Sequence, residues 1–449
     1  MKLDFKTVAK AVGGYTDYDG YITSVFTDSR VPVEGGLFVA LKGANFDGHN
    51  FVPMMKDTPI AGVLVRSDYK TDLPAIYVEN THEALLKLAC FYRSQFEIPV
   101  VGLTGSVGKT STKDMIHCVM SSQFETLKTQ GNLNNNIGMP LTLLKLDEKT
   151  EAAVIEMGMN HKGEISRLTK TLHPTIGVIT NVGVAHIENL GSRENILAAK
   201  LEILDGLDKG SPLIINVDND MLRTVERDDY KIITYGIANK DADIVATNIE
   251  TNEESVKFTV DAFGQTADVF VPIAGNHNIY NALAAIAVGH VLNIPLEKSV
   301  KSLENYVPSG MRQKVVKQNE ITRIVDCYNS NPDSCIAAID VLRGIKGKRK
   351  IAVLGDMLEL GSFSAQSHAD VGYFAASRNI DVLFTYGEEA LNIADAAKKG
   401  GIENVRSYRE CIALAKAISE EIREGDVILF KASRGMKLEN VIERVFGEV

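Results

Sequence analysis

Between Val101 and Thr112 the sequence reads VGLTGSVGKTST. Apolar residues run into a turn that carries glycines, a lysine and several hydroxyls. A glycine-rich turn from strand to helix aims backbone N–H groups and a helix N-terminus at one point, which makes a phosphate site. Gly105, Ser106, Val107 and Gly108 supply the cradle and Ser111 opens the helix. Lys109 reaches the outer phosphates of a nucleotide, and Thr110 offers its hydroxyl to Mg²⁺. Gly102 to Gly108 is one residue longer than the common G-x-x-x-x-G-K-[ST] spacing, so TGSVGKT is the anchor. The pattern points to a nucleotide such as ATP and is silent about the reaction.

Other chemistry-bearing residues follow apolar runs. Glu156 closes AAVIE, with Asn160 and His161 behind it; Asn181 and His186 follow TIGVIT. In open α/β sheets ligands sit beyond the carboxyl ends of the strands, so these groups can face the phosphate loop. Mg²⁺ prefers oxygen, which favours Glu156 over His186 as a ligand. Taken singly, an ordinary ion pair for Glu156 and a packed histidine at 186 stay equally open. Lys200 has Ile196, Leu197, Ile203 and Leu204 three and four residues away, which puts it in the apolar stripe of a helix. Such a lysine must snorkel, find an anion or lose its charge. A neutral amine can take up CO₂ as a carbamate, which would make the position an oxygen ligand for a metal. Asn278 and Asn281 share a helix face, and their amides suit an adenine edge as well as capping. Arg312 can reach a γ-phosphate, and Asp326, ending the run TRIVD, can bind a ribose hydroxyl.

The elements that must position these groups alternate. From Val100 onward, apolar runs (PVVGLTG, AAVIEMG, TIGVITNVG, PLIINVD) interleave with helical patterns, the signature of a mostly parallel sheet. Pro308-Ser309-Gly310 interrupts the rhythm, and a second such series follows. The expected fold is α/β with three domains. They are a small α/β N-terminal domain over 1–97, a central P-loop parallel-sheet ATPase domain over 98–311, and a C-terminal Rossmann-like domain over 312–449. Thr81 is the expected N-cap of the helix before the first boundary. The chain has 449 residues and a net charge of −10, which argues against a general nucleic-acid binder. No stretch reaches the ~20 apolar residues of a membrane span. The opening MKLDFKTVAKAVGG lacks the apolar run of a signal peptide. Five scattered cysteines form no C-x-x-C pair and read as reduced thiols, so a cytoplasmic location is expected.

Together these stretches resemble the Mur ligase family along nearly the whole chain. The resemblance rests on TGSVGKTST, EMGMNHKGEI, TNVGVAHIENLGS, AAKLEI, GNHNIYNALAA and KASRGMKLE. TDSRVPVEGGLFVALKGANFDGHNF resembles the uridine-nucleotide-binding start of the later Mur ligases, and GNLNNNIGMPLTLL and DCYNSNPDS followed by LGDMLELG resemble the members that join D-alanyl-D-alanine to UDP-N-acetylmuramoyl-tripeptide. The resemblance implies an ATP-dependent amide ligase working through an acyl phosphate in peptidoglycan precursor synthesis, with ATP and Mg²⁺ as cofactors. It implies phosphate and Mg²⁺ binding by Lys109 and Thr110, a second magnesium site at Glu156 and His186, and a carbamate on Lys200. It implies adenine contacts from Asn278 and Asn281, and ATP contacts from Arg312 and Asp326 across the domain junction. Thr27, Asp28, Ser29, Arg30, Lys42, Asp47 and His49 would bind the uridine nucleotide, while Asn329, Asn331, Ser433 and Arg434 would lie near the dipeptide or the phosphates. Another Mur-type ligase, a folylpolyglutamate ligase or a non-ligase nucleotide switch are the competing expectations. Nothing in the sequence demands more than a monomer.

Overall fold

The computed structural model describes residues 1–449. The N-terminal part is built on four parallel strands, Ser24–Phe26, Gly36–Val39, Gly62–Arg66 and Ala75–Val78, paired in that order. A helix, Thr81–Arg93, leads out of this sheet. Its N-cap is Asn80, not Thr81: Asn80 is extended and its Oδ1 accepts the N–H groups of His82 and Glu83 at 2.9 and 3.1 Å. Thr81 is instead turned inward and buried. The helix then docks on the next unit, where the Tyr92 hydroxyl donates to the Leu146 carbonyl at 2.8 Å.

The central sheet has nine strands. From one edge they run Thr126–Lys128, Ala152–Glu156, Val100–Thr104, Ile176–Ile179, Pro212–Asn216, Lys231–Gly236 and Ile244–Thr251, all parallel. Val256–Ala262 and Gln265–Val271 complete it as an antiparallel meander. The parallel strands are apolar on both faces because helices cover both sides. One covering layer is Lys109–Ser121 against His277–Val291. Val100–Thr104 lies between Ala152–Glu156 on one side and Ile176–Ile179 on the other, so the chain reverses its direction of winding at this strand. The loop after it therefore opens into the crevice where open sheets bind ligands.

The C-terminal sheet has six strands. Lys314–Gln318 is antiparallel to Ile321–Val325, and Asp426–Lys431, Arg349–Gly355, Val382–Tyr386 and Asn404–Tyr408 follow in parallel. Ser309, just before it, donates to Asp114 at 2.7 Å and so ties the connecting segment to the helix of the phosphate loop. No helix is long and apolar enough to cross a membrane. All five cysteines are free, with Cys327 and Cys335 buried.

Candidate functional site

A cavity of about 1070 Å³ opens between the central and C-terminal sheets, and the phosphate loop from Ser106 to Ser111 lines it. Gly108, the N-cap of the following helix, has φ 79°, and a Cβ there would lie 2.9 Å from Asn281 Oδ1. Gly108→Ala is expected to cost about 1–2 kcal/mol from left-handed strain alone. It should also weaken ADP binding, read by calorimetry beside a thermal melt. Lys109 folds back, its Nζ donating to the Gly105 carbonyl at 2.7 Å and approaching that of Ser106 at 3.4 Å. Asn181 clamps the loop from the neighbouring strand: Oδ1 accepts Val107 N–H at 2.8 Å and Nδ2 donates to the Val107 carbonyl at 2.9 Å. Both polar groups of Val107 are thus engaged, so its backbone braces the loop here and does not point at a phosphate as expected.

Glu156 is 2% exposed at the end of its strand. Oε2 accepts the Thr110 hydroxyl and Oε1 accepts Asn134 Nδ2, each at 2.8 Å. Two oxygen donors side by side at the mouth of a phosphate loop fit Mg²⁺, which takes few protein ligands and keeps waters. No group of three or more His, Cys, Asp or Glu side chains gathers into a metal cage. His186 also lines the cavity, with φ 64°, and its Nδ1 lies 2.6 Å from Glu359 Oε2 in the C-terminal unit.

Lys200 is 1% exposed, so it does not snorkel. It has no carboxylate partner; burial first, and the charge of Lys109 second, push its amine well below its ordinary range. It stands behind the cavity wall rather than in it.

At the base-binding end the two asparagines separate. Asn281 lines the cavity, while Asn278 does not. Asn278 supports it: Asn281 Nδ2 donates to Asn278 Oδ1 at 3.0 Å, and Asn278 Nδ2 donates to the Ala274 carbonyl at 2.8 Å. Thr112 holds the other end of Asn281 at 2.9 Å. Tyr280 is a lining residue that the sequence pattern did not single out. Its hydroxyl donates to Asp218, which also accepts three backbone N–H groups from 237–239.

The C-terminal unit contributes Arg312, Asp326, Asn329 and Asn331 to the same cavity. The Arg312 guanidinium stacks on the Tyr328 ring at 3.8 Å. Asp326 pairs with Lys431 at 3.0 Å, a buried lining lysine that the pattern also missed. Asn331 caps the helix Pro332–Gly344 by accepting Ser334 N–H at 2.9 Å. Ser433 and Arg434 do not line the cavity; Ser433 Oγ accepts Leu358 N–H at 2.9 Å, and Arg434 is paired with Glu439 at 2.7 Å.

The N-terminal candidates lie outside this cavity. Thr27 and Ser29 are half-buried, and Asp28 holds Arg30 through two bonds of 2.9 and 2.7 Å. The Lys42 backbone bridges Asp47, and its carbonyl accepts the ring of His82, which does line the cavity. His49 is 3% exposed, with Nδ1 on Asp47 at 2.6 Å and Nε2 accepting Arg66 N–H at 3.1 Å. No ring nitrogen of His49 is left for a ligand, so it braces the Asp47–His49 turn.

Comparison with known proteins agrees with this layout. Residues 103–289 match the model of the Mur ligase middle domain, and residues 311–434 that of the Mur ligase glutamate ligase domain. The chain is 40% identical over 455 residues to UDP-N-acetylmuramoyl-tripeptide–D-alanyl-D-alanine ligase of Bacillus subtilis (strain 168), covering 99% of this chain and 98% of that one. It superposes on a crystal structure of MurF from Acinetobacter baumannii with a TM-score of 0.93 at 31% identity, over 100% of this chain and 99% of that one. MurF ligase from Thermotoga maritima in complex with ADP gives a TM-score of 0.84 at 28% identity, over 95% and 97%.

Proposed function

Because the chain belongs to the Mur ligase family, we infer that it joins D-alanyl-D-alanine to UDP-N-acetylmuramoyl-tripeptide in an ATP-driven step of peptidoglycan precursor synthesis. The observation that carries this reading is one cavity lined both by the phosphate loop with its Thr110–Glu156 pair and by Arg312, Asp326, Asn329 and Asn331 of the C-terminal unit. A nucleotide switch has no need of that second wall. Residues 1–97 hold the uridine end, 98–311 hold ATP and Mg²⁺, and 312–449 bring the dipeptide and close over the rest. The enzyme draws on ATP and so works in the cytoplasm, as a monomer.

When bound, ATP supplies the phosphoryl group that turns the tripeptide's terminal carboxylate into an acyl phosphate, from which the dipeptide amine displaces phosphate. The chain's own work is electrostatic and positional. Lys109 and Arg312 would set two cations against the clustered negative charge of the phosphates. Thr110 and Glu156 would hold Mg²⁺; His186 would serve a second such ion, and Lys200, if carbamylated, would offer an oxygen from behind the cavity wall. Asn329 and Asn331 present the dipeptide from the facing wall. Closure of the two walls keeps water from the activated acid.

The test is purified protein with ATP, Mg²⁺, UDP-N-acetylmuramoyl-tripeptide and D-alanyl-D-alanine, followed by mass spectrometry. The pentapeptide product should accumulate one for one with ADP. ADP release that needs neither acid nor amine would overturn the reading.

A further inference from the structure

The loop after the strand Arg349–Gly355 runs Asp356-Met357-Leu358-Glu359-Leu360-Gly361 and has no part in the chemistry above. Its base is fixed within the C-terminal unit. Asp356 accepts the N–H groups of Glu388 and Ala390 at 3.2 and 2.8 Å. His368, fully buried, accepts Met357 N–H through Nε2 at 2.9 Å while its Nδ1 donates to the Ser364 carbonyl at 2.8 Å. Met357 and Leu360 are buried as well. The tip is thereby thrown outward onto the central unit.

There Glu359 Oε2 meets His186 Nδ1 at 2.6 Å, and the Glu359 carbonyl lies 3.4 Å from Glu188 N. Gly361 closes on the same short helix; a Cβ on it would lie 3.0 Å from Glu188 Cγ. Both partners of the pair are held in the left-handed region, with φ 64° at His186 and φ 64° at Glu359. Non-glycine residues there cost on the order of 1–3 kcal/mol each and persist only where the surroundings over-determine them. Two such residues facing each other across a domain boundary mark a contact the fold holds in place.

The contact has a chemical consequence. Glu359 Oε2 and His186 Nδ1 stand at hydrogen-bond distance, with the carboxylate as acceptor. Nδ1 of His186 is thus the nitrogen turned to the carboxylate as donor, and Nε2 is the other nitrogen of a residue that lines the cavity. We propose that the 356–361 loop is an interdomain latch in which Glu359 fixes the tautomer and direction of the His186 ring as the C-terminal unit closes on the central one. Glu359 is a positioning residue: it acts through His186. The latch rests on the ligase reading only for what the oriented ring then does.

The test compares the full-length wild-type protein with Glu359→Ala and Glu359→Gln. Nitrogen-15 NMR of the ligand-free protein should report His186 protonated on Nδ1 in the wild type, a mixed tautomer in the alanine variant and an intermediate state in the glutamine variant. With all substrates, Glu359→Ala should lower kcat by roughly 10–100-fold, the loss usual when a partner behind a working histidine is removed. KM for ATP should hardly move, and the compaction that small-angle scattering is expected to show when substrates are added to the wild type should be smaller in Glu359→Ala. A wild-type tautomer in Glu359→Ala overturns the latch, and so does a fallen kcat with tautomer and compaction unchanged. If the wild type makes no amide product, the ligase reading fails, while the tautomer comparison still decides the latch.

Discussion

Replacing Lys200 with alanine is expected to lower kcat for amide formation by about a thousandfold or more, roughly 4 kcal/mol of lost transition-state stabilisation. The argument starts from burial. An ammonium at a site 1% exposed with no carboxylate partner would face a desolvation cost of several kcal/mol. The amine escapes that cost by giving up its proton, and the charge of Lys109 pushes it the same way. A neutral amine takes up CO₂, and the carbamate restores a negative charge next to the cations that a triphosphate site requires. Alanine removes the amine itself, so bicarbonate restores nothing, whereas a small carboxylate added in trans can recover part of the rate. Carbon-13 NMR after incubation with labelled bicarbonate should show one carbamate signal in the wild type and none in Lys200→Ala. An alanine variant that turns over at the wild-type rate would remove Lys200 from the metal's surroundings.

That lysine shows why part of the site was legible beforehand. Its neighbours at three and four residues are all apolar, which pointed it inside, although the α-helix ends at Leu201 and Ile203 and Leu204 lie in a following 3-10 turn. The phosphate loop was legible for the same reason: cradle, lysine and hydroxyl are contiguous. Glu156 followed from its place at a strand end in an alternating α/β pattern. What the sequence hid lies in long-range pairing. The clamp of Asn181 on Val107 spans 74 residues, and the contact of Glu359 with His186 spans 173. Asn278 and Asn281 share a face, as their spacing required, yet only tertiary packing decides that one lines the cavity and the other stands behind it. His49 entered the expected uridine site only through the family resemblance; Arg66 and Asp47 occupy both its nitrogens. Asn80 outcompeted Thr81 as the cap because its amide reaches two N–H groups at once.

Lys109→Met should be nearly as damaging, with kcat/KM falling on the order of 10²–10³, as when a preorganised donor to developing charge is removed. Methionine keeps most of the side chain's length and packing but has no charge and no donor. Lys109 is bonded to the carbonyls of Gly105 and Ser106, so its loss should free the loop as well as remove the cation proposed to face the phosphates. Lys109→Arg is not expected to rescue, because a planar guanidinium cannot replace a compact ammonium inside a backbone cradle. The charge of Lys109 also helps to hold the Lys200 amine neutral. Removing it should let the Lys200 amine rise toward its ordinary range and so reduce the carbamate that labelled bicarbonate reveals. The two lysines therefore act as one unit, and the double variant Lys109→Met/Lys200→Ala should lose far less than the product of the single losses. Losses that simply multiply would show that the phosphate loop and the buried amine work independently, leaving burial alone to keep the Lys200 amine neutral.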